Sequence, residues 1–290
     1  MQLKTRKLAA QVGTEILLDM PLAGVDDATF RQIEEAWRED GVLVFRGQPM
    51  DHAAHVHFSS RFGPLDDHRT LPRVRDPHVH EILPITNQVV AGRRLLAGRQ
   101  WHTDMSYTLI PPRGSLLRCE VIPPVGGDTM FANMTTAYDT LSDTMKSVIG
   151  DLWAVHDLTL ARHNQGRPDI DEVRRNTPPV AQPVVRVHPE TGHKALYVCE
   201  MVTSSIVGMS QDESRAILGY LFRHAVRPEF TYRHRWRPGD LIAWDNRCVQ
   251  HLALDDYDLA EPRKLYRTTL LGQPLGHPVD AATGAVPALG

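Results

Sequence analysis

Apolar residues recur at helical spacing in two long segments of the chain. In Asp26–Asp40 they fall at Phe30, Ile33 and Trp37, behind an aspartate suited to capping a helix N-terminus. In Ser210–Val226 an apolar stripe follows a serine and glutamate spaced as in a capping box. Both segments are therefore predicted to be amphipathic helices. Shorter helices are predicted over Asp51–Phe62 and Thr135–Ile149.

Short apolar runs bounded by glycine, proline and polar residues predict strands between these helices. Many short strands accompanied by a few helices favour a mainly β fold with flanking helices (α+β), in which the sheets form a sandwich or a double-stranded β-helix (jelly roll). The predicted strands are Val42–Phe45, Ile82–Thr86, Ser115–Val121, Val184–Val187, Ala195–Cys199, Phe230–Arg235, Asp240–Trp244 and Leu265–Leu271.

Nothing in the sequence marks a domain boundary, because it contains no internal repeat and no low-complexity linker. We therefore expect residues 1–290 to form a single domain. The segment Arg162–Gln182 is polar, charged and interrupted by prolines, without a sustained apolar period. Such a long polar segment inside a compact domain is typical of a surface loop, and we expect it to be a mobile lid.

Composition narrows the class of protein. The chain is 42% hydrophobic and 23% charged, as in ordinary globular proteins. A net charge of −3 gives no electrostatic basis for binding nucleic acid or an anionic membrane, and no apolar run approaches the ~20 residues of a membrane span. The N-terminus lacks an apolar signal core, and three widely spaced cysteines form no disulfide or zinc pattern. A cytoplasmic location is expected.

The candidate chemistry starts at Trp101–Tyr107, where His102 and Asp104 stand two positions apart. In an extended strand both side chains would project from one face and could bind a divalent metal together. His251, which follows a predicted strand and leads into a loop, could supply the third ligand. Two imidazoles and one carboxylate on one face form the arrangement of non-haem Fe(II) sites. With 15 histidines in the chain, a chance His-x-Asp pair is the alternative.

Arg263 and Arg267 are both predicted to lie on the last strand and are separated by an even number of positions. The two guanidinium groups are therefore expected on one inward face, where each needs an anion. They could pair with nearby acidic residues of the chain at 255, 256 and 258. Alternatively, they could bind two carboxylate-like ligands in a bidentate manner.

Together these motifs resemble the TauD/TfdA family of Fe(II)- and 2-oxoglutarate-dependent dioxygenases. The resemblance covers nearly the whole chain, from the Gly41–Phe45 strand to Leu271–Gly272. The motifs that carry it are His102-x-Asp104, Gly127-Asp128-Thr129, Trp244-Asp245-Asn246-Arg247 with His251, and Arg263 with Arg267.

The resemblance implies a role for each matching residue. His102, Asp104 and His251 would hold Fe(II), while Arg263 and Thr129 would bind the distal carboxylate of 2-oxoglutarate. Further implied cofactors and partners are O2, a small anionic substrate and a second copy of the chain in a homodimer or homotetramer. The substrate's anionic end would meet Arg267 and His68, whereas the family histidine positions His156 and His188 carry no assigned role and are expected to be structural.

The pocket departs from that of the taurine enzymes of the family. Leu71, Leu158 and Val202 stand where those enzymes carry aromatic residues, and Gly98 replaces an asparagine. A larger, dry pocket that keeps the anion-binding residues Arg267 and His68 suits an alkyl sulfate, an alkyl or aryl sulfonate, or an aryloxy or other carboxylic acid better than taurine.

The reaction that the family resemblance implies is hydroxylation of an aliphatic C–H bond, with succinate and CO2 as co-products. A same-scaffold hydroxylase or desaturase of an amino acid or biosynthetic intermediate is an open alternative. A zinc hydrolase would use the same His and Asp ligands but gives no reason for Arg263 and Thr129. A non-enzymatic binding module leaves the whole set of polar residues without a purpose.

Overall fold

A computed structural model describes residues 2–69, 74–90, 93–94, 98–280 and 285–286. No helix in those ranges is long and apolar enough to cross a membrane. The helices are α1 (Asp27–Asp40), α2 (His52–Ser60), α3 (Met134–Asp139), α4 (Asp143–Ile149), α5 (Ile170–Asn176) and α6 (Gln211–Ala225). The strands are β1 (Lys4–Lys7), β2 (Thr14–Leu17), β3 (Val42–Phe45), β4 (Leu83–Thr86), β5 (Val89–Val90), β6 (Arg93–Arg94), β7 (Gly114–Val121), β8 (Thr129–Asn133), β9 (Trp153–His156), β10 (Val180–Pro183), β11 (Val185–Val187), β12 (Lys194–Leu196), β13 (Thr203–Ile206), β14 (Thr231–His234), β15 (Leu241–Asp245), β16 (Val249–Ala253), β17 (Lys264–Leu270) and β18 (His277–Pro278).

A seven-stranded sheet in the order β1-β2-β3-β15-β7-β17-β4 is the largest layer. Its strands pair antiparallel except for β2 and β3, which are parallel. Smaller sheets include the three-stranded β14-β8-β16 and the four-stranded β13-β9-β10-β18. The molecule is therefore a mixed-sheet protein with added helices, as its mainly β sequence pattern predicts.

The large sheet buries apolar residues on both faces. On one face, Phe30, Ile33 and Trp37 of α1 and Phe58 of α2 pack against the sheet. On the other face, a larger cluster joins the sheet to the three-stranded sheet through Phe131 and to α3 and α6. Alternate residues of each central strand thus point into two different cores.

Capping residues explain where the helices begin and end. The Asp26 carboxylate accepts the backbone N–H of Thr29 at the start of α1, and Gly41 ends that helix in the left-handed conformation with φ 68°. At α6, Ser210 and Glu213 form the expected capping box. The single helix predicted over Thr135–Ile149 is wrong. It is two helices, because Ser142 accepts the backbone N–H of Met145 and starts a new helix at α4.

Two sequence expectations about the ligand-bearing segments are also wrong. His102 and Asp104 do not share a regular strand: His102 makes an isolated bridge, and the chain turns at Asp104. His251 does not lead into a loop but lies in the middle of β16. Both outcomes depend on pairing between distant segments, which local residue patterns do not specify.

Candidate metal and anion site

Backbone pairing places His102 and His251 side by side. His102 N–H donates to the His251 carbonyl at 3.1 Å, and His251 N–H donates to the His102 carbonyl at 2.8 Å. Such a doubly bonded antiparallel pair puts the two side chains on the same face of the sheet. The imidazole centroids are consequently 4.1 Å apart.

Asp104 completes a cluster in which the potential ligand atoms of all three residues lie within 4.8 Å of one another. Its Oδ1 atom is 3.9 Å from Nε2 of His102 and 3.9 Å from Nε2 of His251. The turn that delivers the carboxylate continues through Met105 at φ 47°, an unusual backbone conformation for a non-glycine residue. A conformational cost at this point is typical of functional sites.

The donor set fits Fe(II). The Nδ1 atom of His102 lies 2.8 Å from the Gln100 carbonyl, which can only accept, so the ring keeps Nε2 free for a metal. Burial lowers the pKa of His102 and lowers that of His251 to about 3, which keeps both rings neutral. Burial alone would raise the pKa of Asp104, but Arg267 and then the two imidazoles outweigh it and lower the pKa. Neutral imidazoles and an ionised carboxylate are the metal-binding protonation states.

A second cluster of possible ligands, His188, Asp245 and Cys248, has a structural role instead. His188 lies 3.2 Å from Asp245 through Nε2, while its Nδ1 atom accepts backbone N–H groups. Asp245 holds the Arg247 guanidinium with both carboxylate oxygens, at 2.8 and 2.6 Å. Because these lone pairs are already used, the cluster binds the chain to itself.

Arg263 is 5% exposed, and none of the described carboxylates lies within ion-pair distance of it. Its Nε atom donates to the Gly127 carbonyl at 3.0 Å, and burial lowers its pKa. A Cβ atom at Gly127 would lie 3.3 Å from that Nε atom, and the backbone there has φ 72°. Glycine therefore permits a close approach that leaves the rest of the guanidinium for an anion.

Thr129 begins β8, close in sequence to the carbonyl that holds Arg263. Its Oγ1 atom accepts the indole N–H of Trp236 at 3.0 Å. With the indole as donor, the hydroxyl proton of Thr129 is free to donate to a carboxylate. Trp236 was not identified from the sequence, since nothing local connects it to Thr129.

Arg267 and His68 each present a buried nitrogen atom without a hydrogen-bond partner among the described residues. Arg267 donates through Nη1 to Asp104 Oδ1 at 2.7 Å, while its buried Nε atom has no partner among the described residues. His68 is 1% exposed, has φ 51°, and its Nε2 atom likewise lacks a partner in the described ranges. Burial and then the charge of Arg267 lower the pKa of His68, so the two side chains are electrostatic neighbours.

An apolar cluster contains two of the three predicted pocket residues. Val202 is buried with Ala161, Cys199 and Met201, and Leu158 packs against them. Leu71 lies outside the described residues. Tyr107 packs on the same cluster, and burial followed by the Asp104 charge raises its pKa to about 12.

Tyr107 was not identified as a pocket residue from the sequence, although its position just after Asp104 offered a signal. Gly98, the other predicted departure, leaves room beside a metal ligand. A Cβ atom there would meet the His102 ring at 3.4 Å. Tyr107 and Val202 lie in turns and Leu158 begins a short 3-10 helix, so none of the three lies in a regular strand.

The predicted lid, Arg162–Gln182, overlaps a buried strand at its C-terminal end. It contains a short turn at Arg162–Asn164 and helix α5, but its last residues belong to the buried strand β10. Gln182 in that strand donates to the carbonyls of Ser106 and Thr108, both at 2.8 Å. This end of the segment therefore supports the turn that carries Asp104.

His156 contributes to the same support. Its Nδ1 atom is 3.0 Å from Ser106 Oγ, and its Nε2 atom is 3.3 Å from Thr203 Oγ1. Burial lowers its pKa to about 3, so the ring is neutral. These contacts are structural, as expected for this family position.

Comparisons with known proteins agree with this chemistry. Residues 4–269 match the family model described as taurine catabolism dioxygenase TauD, TfdA family. The chain is 36% identical to the alpha-ketoglutarate-dependent 2,4-dichlorophenoxyacetate dioxygenase of Cupriavidus pinatubonensis, over 86% of this chain and 94% of that protein. It is 34% identical to the alpha-ketoglutarate-dependent sulfate ester dioxygenase of Pseudomonas putida, over 95% and 92% of the two chains.

A solved structure is also similar. The protein AAD-2, in complex with Mn(II) and N-oxalylglycine, has a TM-score of 0.81 to this chain at 32% identity. The match covers 95% of this chain and 99% of that one.

Proposed function

Because the chain belongs to the TauD/TfdA family and is an Fe(II)- and 2-oxoglutarate-dependent dioxygenase, we propose that its substrate is a small organic anion with an apolar body. The candidate classes are aryloxyalkanoates, alkyl sulfates and alkyl or aryl sulfonates. The similarity to dioxygenases of these kinds favours this function over hydroxylation or desaturation of an amino acid.

In this proposal His102, Asp104 and His251 hold the iron. The iron, with 2-oxoglutarate and O2, supplies the oxidising power for hydroxylation of an aliphatic C–H bond. Arg263 binds the distal carboxylate of 2-oxoglutarate, assisted by the hydroxyl of Thr129. The observation that carries this assignment is the buried guanidinium of Arg263 without a carboxylate partner among the described residues, since such a charge is stable only when it meets an anion.

The primary substrate's anionic group would bind Arg267 and His68. Both present a buried nitrogen without a partner among the described residues. A guanidinium can donate two hydrogen bonds to a planar carboxylate or to two oxygens of a sulfate or sulfonate. The rest of the substrate would lie on the cluster formed by Leu158, Val202 and Tyr107. Taurine fits poorly, because its ammonium group would face apolar side chains.

A succinate-release screen tests the substrate class. The series would be alkyl sulfates, alkanesulfonates and aryloxyalkanoates of increasing length, with taurine as control. We expect turnover to rise as the apolar part grows, at about 0.8 kcal/mol per buried methylene, until the pocket is full. Taurine as the best substrate would contradict the pocket assignment, and a silent panel would contradict the proposed substrate class.

The cofactor assignment has its own test. Anaerobic addition of Fe(II) and 2-oxoglutarate together should produce a weak metal-to-ligand charge-transfer band in the visible spectrum. Neither component alone should produce it. A zinc hydrolase or a binding module would give no such band.

Finer features of the molecule are also proposals. We propose that the large sheet and the smaller sheet facing it form a double-stranded β-helix, that residues 1–290 are one domain, and that residues 162–179 form the lid. A cytoplasmic location and a homodimer or homotetramer stay predictions, the second testable by light scattering.

A further inference from the structure

We propose that a buried hydrogen-bond relay through Trp244, Asn246 and Ser115 determines which oxygen of Asp104 faces the metal. The inference rests on the proposed role of Asp104 as an iron ligand. It assigns a positioning role to Ser115 and to two members of a family motif, Trp244 and Asn246, for which the motif itself implies no role; none of the three belongs to the ligand cluster.

The relay has one possible direction. The indole N–H of Trp244 can only donate, so the Asn246 amide must turn its oxygen, Oδ1, towards the indole, at 2.9 Å. The amide nitrogen Nδ2 of Asn246 then donates to Ser115 Oγ at 3.3 Å. With its oxygen accepting from the amide, Ser115 directs its own proton to Asp104 Oδ2 at 2.8 Å.

The relay is shielded from water along its whole length. Ser115 and Asn246 are completely buried, and Trp244 and Asp104 nearly so. A hydrogen bond to an ionised carboxylate in such surroundings is stronger than one between neutral groups. Ser115 is therefore a firm partner for the Oδ2 atom.

Strand register builds the relay. Trp244 on β15 is the direct partner of Ser115 on β7 in the large sheet. Asn246 follows β15 and is itself fixed by its backbone N–H, which donates to the Arg113 carbonyl at 3.0 Å. Three consecutive groups of the relay thus come from one rigid part of the sheet.

The consequence for the metal is a fixed denticity. Oδ2 accepts from Ser115, whereas Oδ1 is the oxygen that lies 3.9 Å from each imidazole Nε2 atom and also accepts from Arg267 Nη1 at 2.7 Å. A free carboxylate could bind a cation through both oxygens and occupy an additional coordination position. By using a lone pair of Oδ2 and fixing its direction, the Ser115 hydrogen bond disfavours this second bond and preserves positions for 2-oxoglutarate and O2.

The test compares Ser115→Ala with Ser115→Thr, which retains the hydroxyl. Ser59→Ala is the matched control, because Ser59 is an equally buried serine that bonds Thr268 under α2, outside the relay. Each apoprotein is titrated anaerobically with Mn(II) and Co(II), and the Co(II) visible spectrum is recorded. We expect Ser115→Ala to bind Mn(II) about 10–100-fold more weakly and to change the Co(II) spectrum. Ser115→Thr and Ser59→Ala should match wild type.

If Ser115→Ala fails to fold, as judged by circular dichroism, Trp244→Phe serves instead, since it removes the donor that orients the amide while retaining an aromatic ring. It should shift Mn(II) affinity and the Co(II) spectrum in the same direction. Wild-type affinity and spectrum in the folded variant would overturn the relay. Asp104→Ala distinguishes failure of the relay from failure of the ligand assignment. If Asp104→Ala loses the metal while Ser115→Ala binds it as wild type does, only the relay is wrong. If Asp104→Ala binds the metal with full affinity, the assignment of Asp104 as a ligand is wrong.

Discussion

Arg263 and Arg267 have different surroundings, since Arg263 immediately precedes β17, on which it was predicted to lie, and Arg267 is the central residue of that strand. Arg263 contacts a backbone carbonyl, whereas Arg267 donates to the carboxylate of Asp104. The sequence spacing predicts their shared face, but not that one of them would also reach a ligand residue. That contact depends on the turn at Asp104, which local patterns did not reveal.

The two arginines should therefore give different kinetic defects. Arg263→Ala should mainly raise the KM for 2-oxoglutarate, because a buried carboxylate loses its partner at a cost of roughly 2–5 kcal/mol. Arg267→Ala should weaken binding of the primary substrate and allow 2-oxoglutarate to be consumed without substrate hydroxylation. Steady-state kinetics with each substrate varied in turn measure both effects, and the reverse pair of phenotypes would contradict the assignment.

At the scale of elements, α2 is attached to the back of β17. His55 lies 3.4 Å from Thr268 Oγ1, and that hydroxyl donates to Ser59 at 2.7 Å. Arg267 contacts Asp104 while its neighbour Thr268 faces α2, so the helix fixes the strand that carries Arg267. The pattern of α2 predicts the helix, but not its polar attachment.

Burial, with help from Arg118 and His52, lowers the pKa of His55 to about 3. An unfolded histidine titrates near 6.5, so the unfolded state binds more protons between these two values. The free energy of unfolding should accordingly be highest above pH 6.5 and fall towards pH 3, by up to about 1.4 kcal/mol per pH unit for this group. Urea titrations at a series of pH values measure this, and His55→Gln should have a shallower slope.

An ion pair joins the proposed lid to the residues before it. Arg174 of α5 donates to Asp157 at 2.5 Å and to Thr159 at 3.1 Å. We expect trypsin to cut residues 162–179 rapidly in the free enzyme and slowly with substrate and 2-oxoglutarate bound. Arg174→Ala should accelerate cutting in the free enzyme, whereas Arg215→Ala, which breaks an exposed pair with Asp212, should not. Equal protection in both states would argue against the lid.

At the scale of the whole molecule, the site joins segments far apart in the chain. The turn after Gly98 supplies two metal ligands, β16 the third, and β7 the serine beside them. A metal ion should therefore stabilise the entire fold. At a hundredfold excess over its Kd, Mn(II) should add about 2.7 kcal/mol to the free energy of unfolding and raise Tm by several degrees. Calorimetry of Asp104→Ala should show no such rise.

Residue types and spacing were sufficient to propose the ligand set, because chemistry limits which side chains suit iron and a carboxylate. They also predicted α1 and α6, whose caps and apolar stripes are local features. Strands β8, β10 and β16 were missed, since each is defined by pairing with distant segments. The roles of Gln182 and Trp236 were missed for the same reason, because each depends on a contact with a distant segment. Asn246 was named in a motif, but its contact with Ser115 could not be predicted.

The residues proposed to bind the metal and the anions lie mainly on paired strands or beside them, whereas Tyr107 and Val202 lie in turns and Leu158 lies in a short 3-10 helix. In evolutionary terms, the catalytic residues and the substrate specificity can change independently of each other. A related enzyme could acquire a different substrate through substitutions at these positions while the strands that carry the catalytic residues stay unchanged. Directed evolution of this enzyme toward new pollutants or surfactants should accordingly concentrate diversity at these three positions, which lie outside the regular strands.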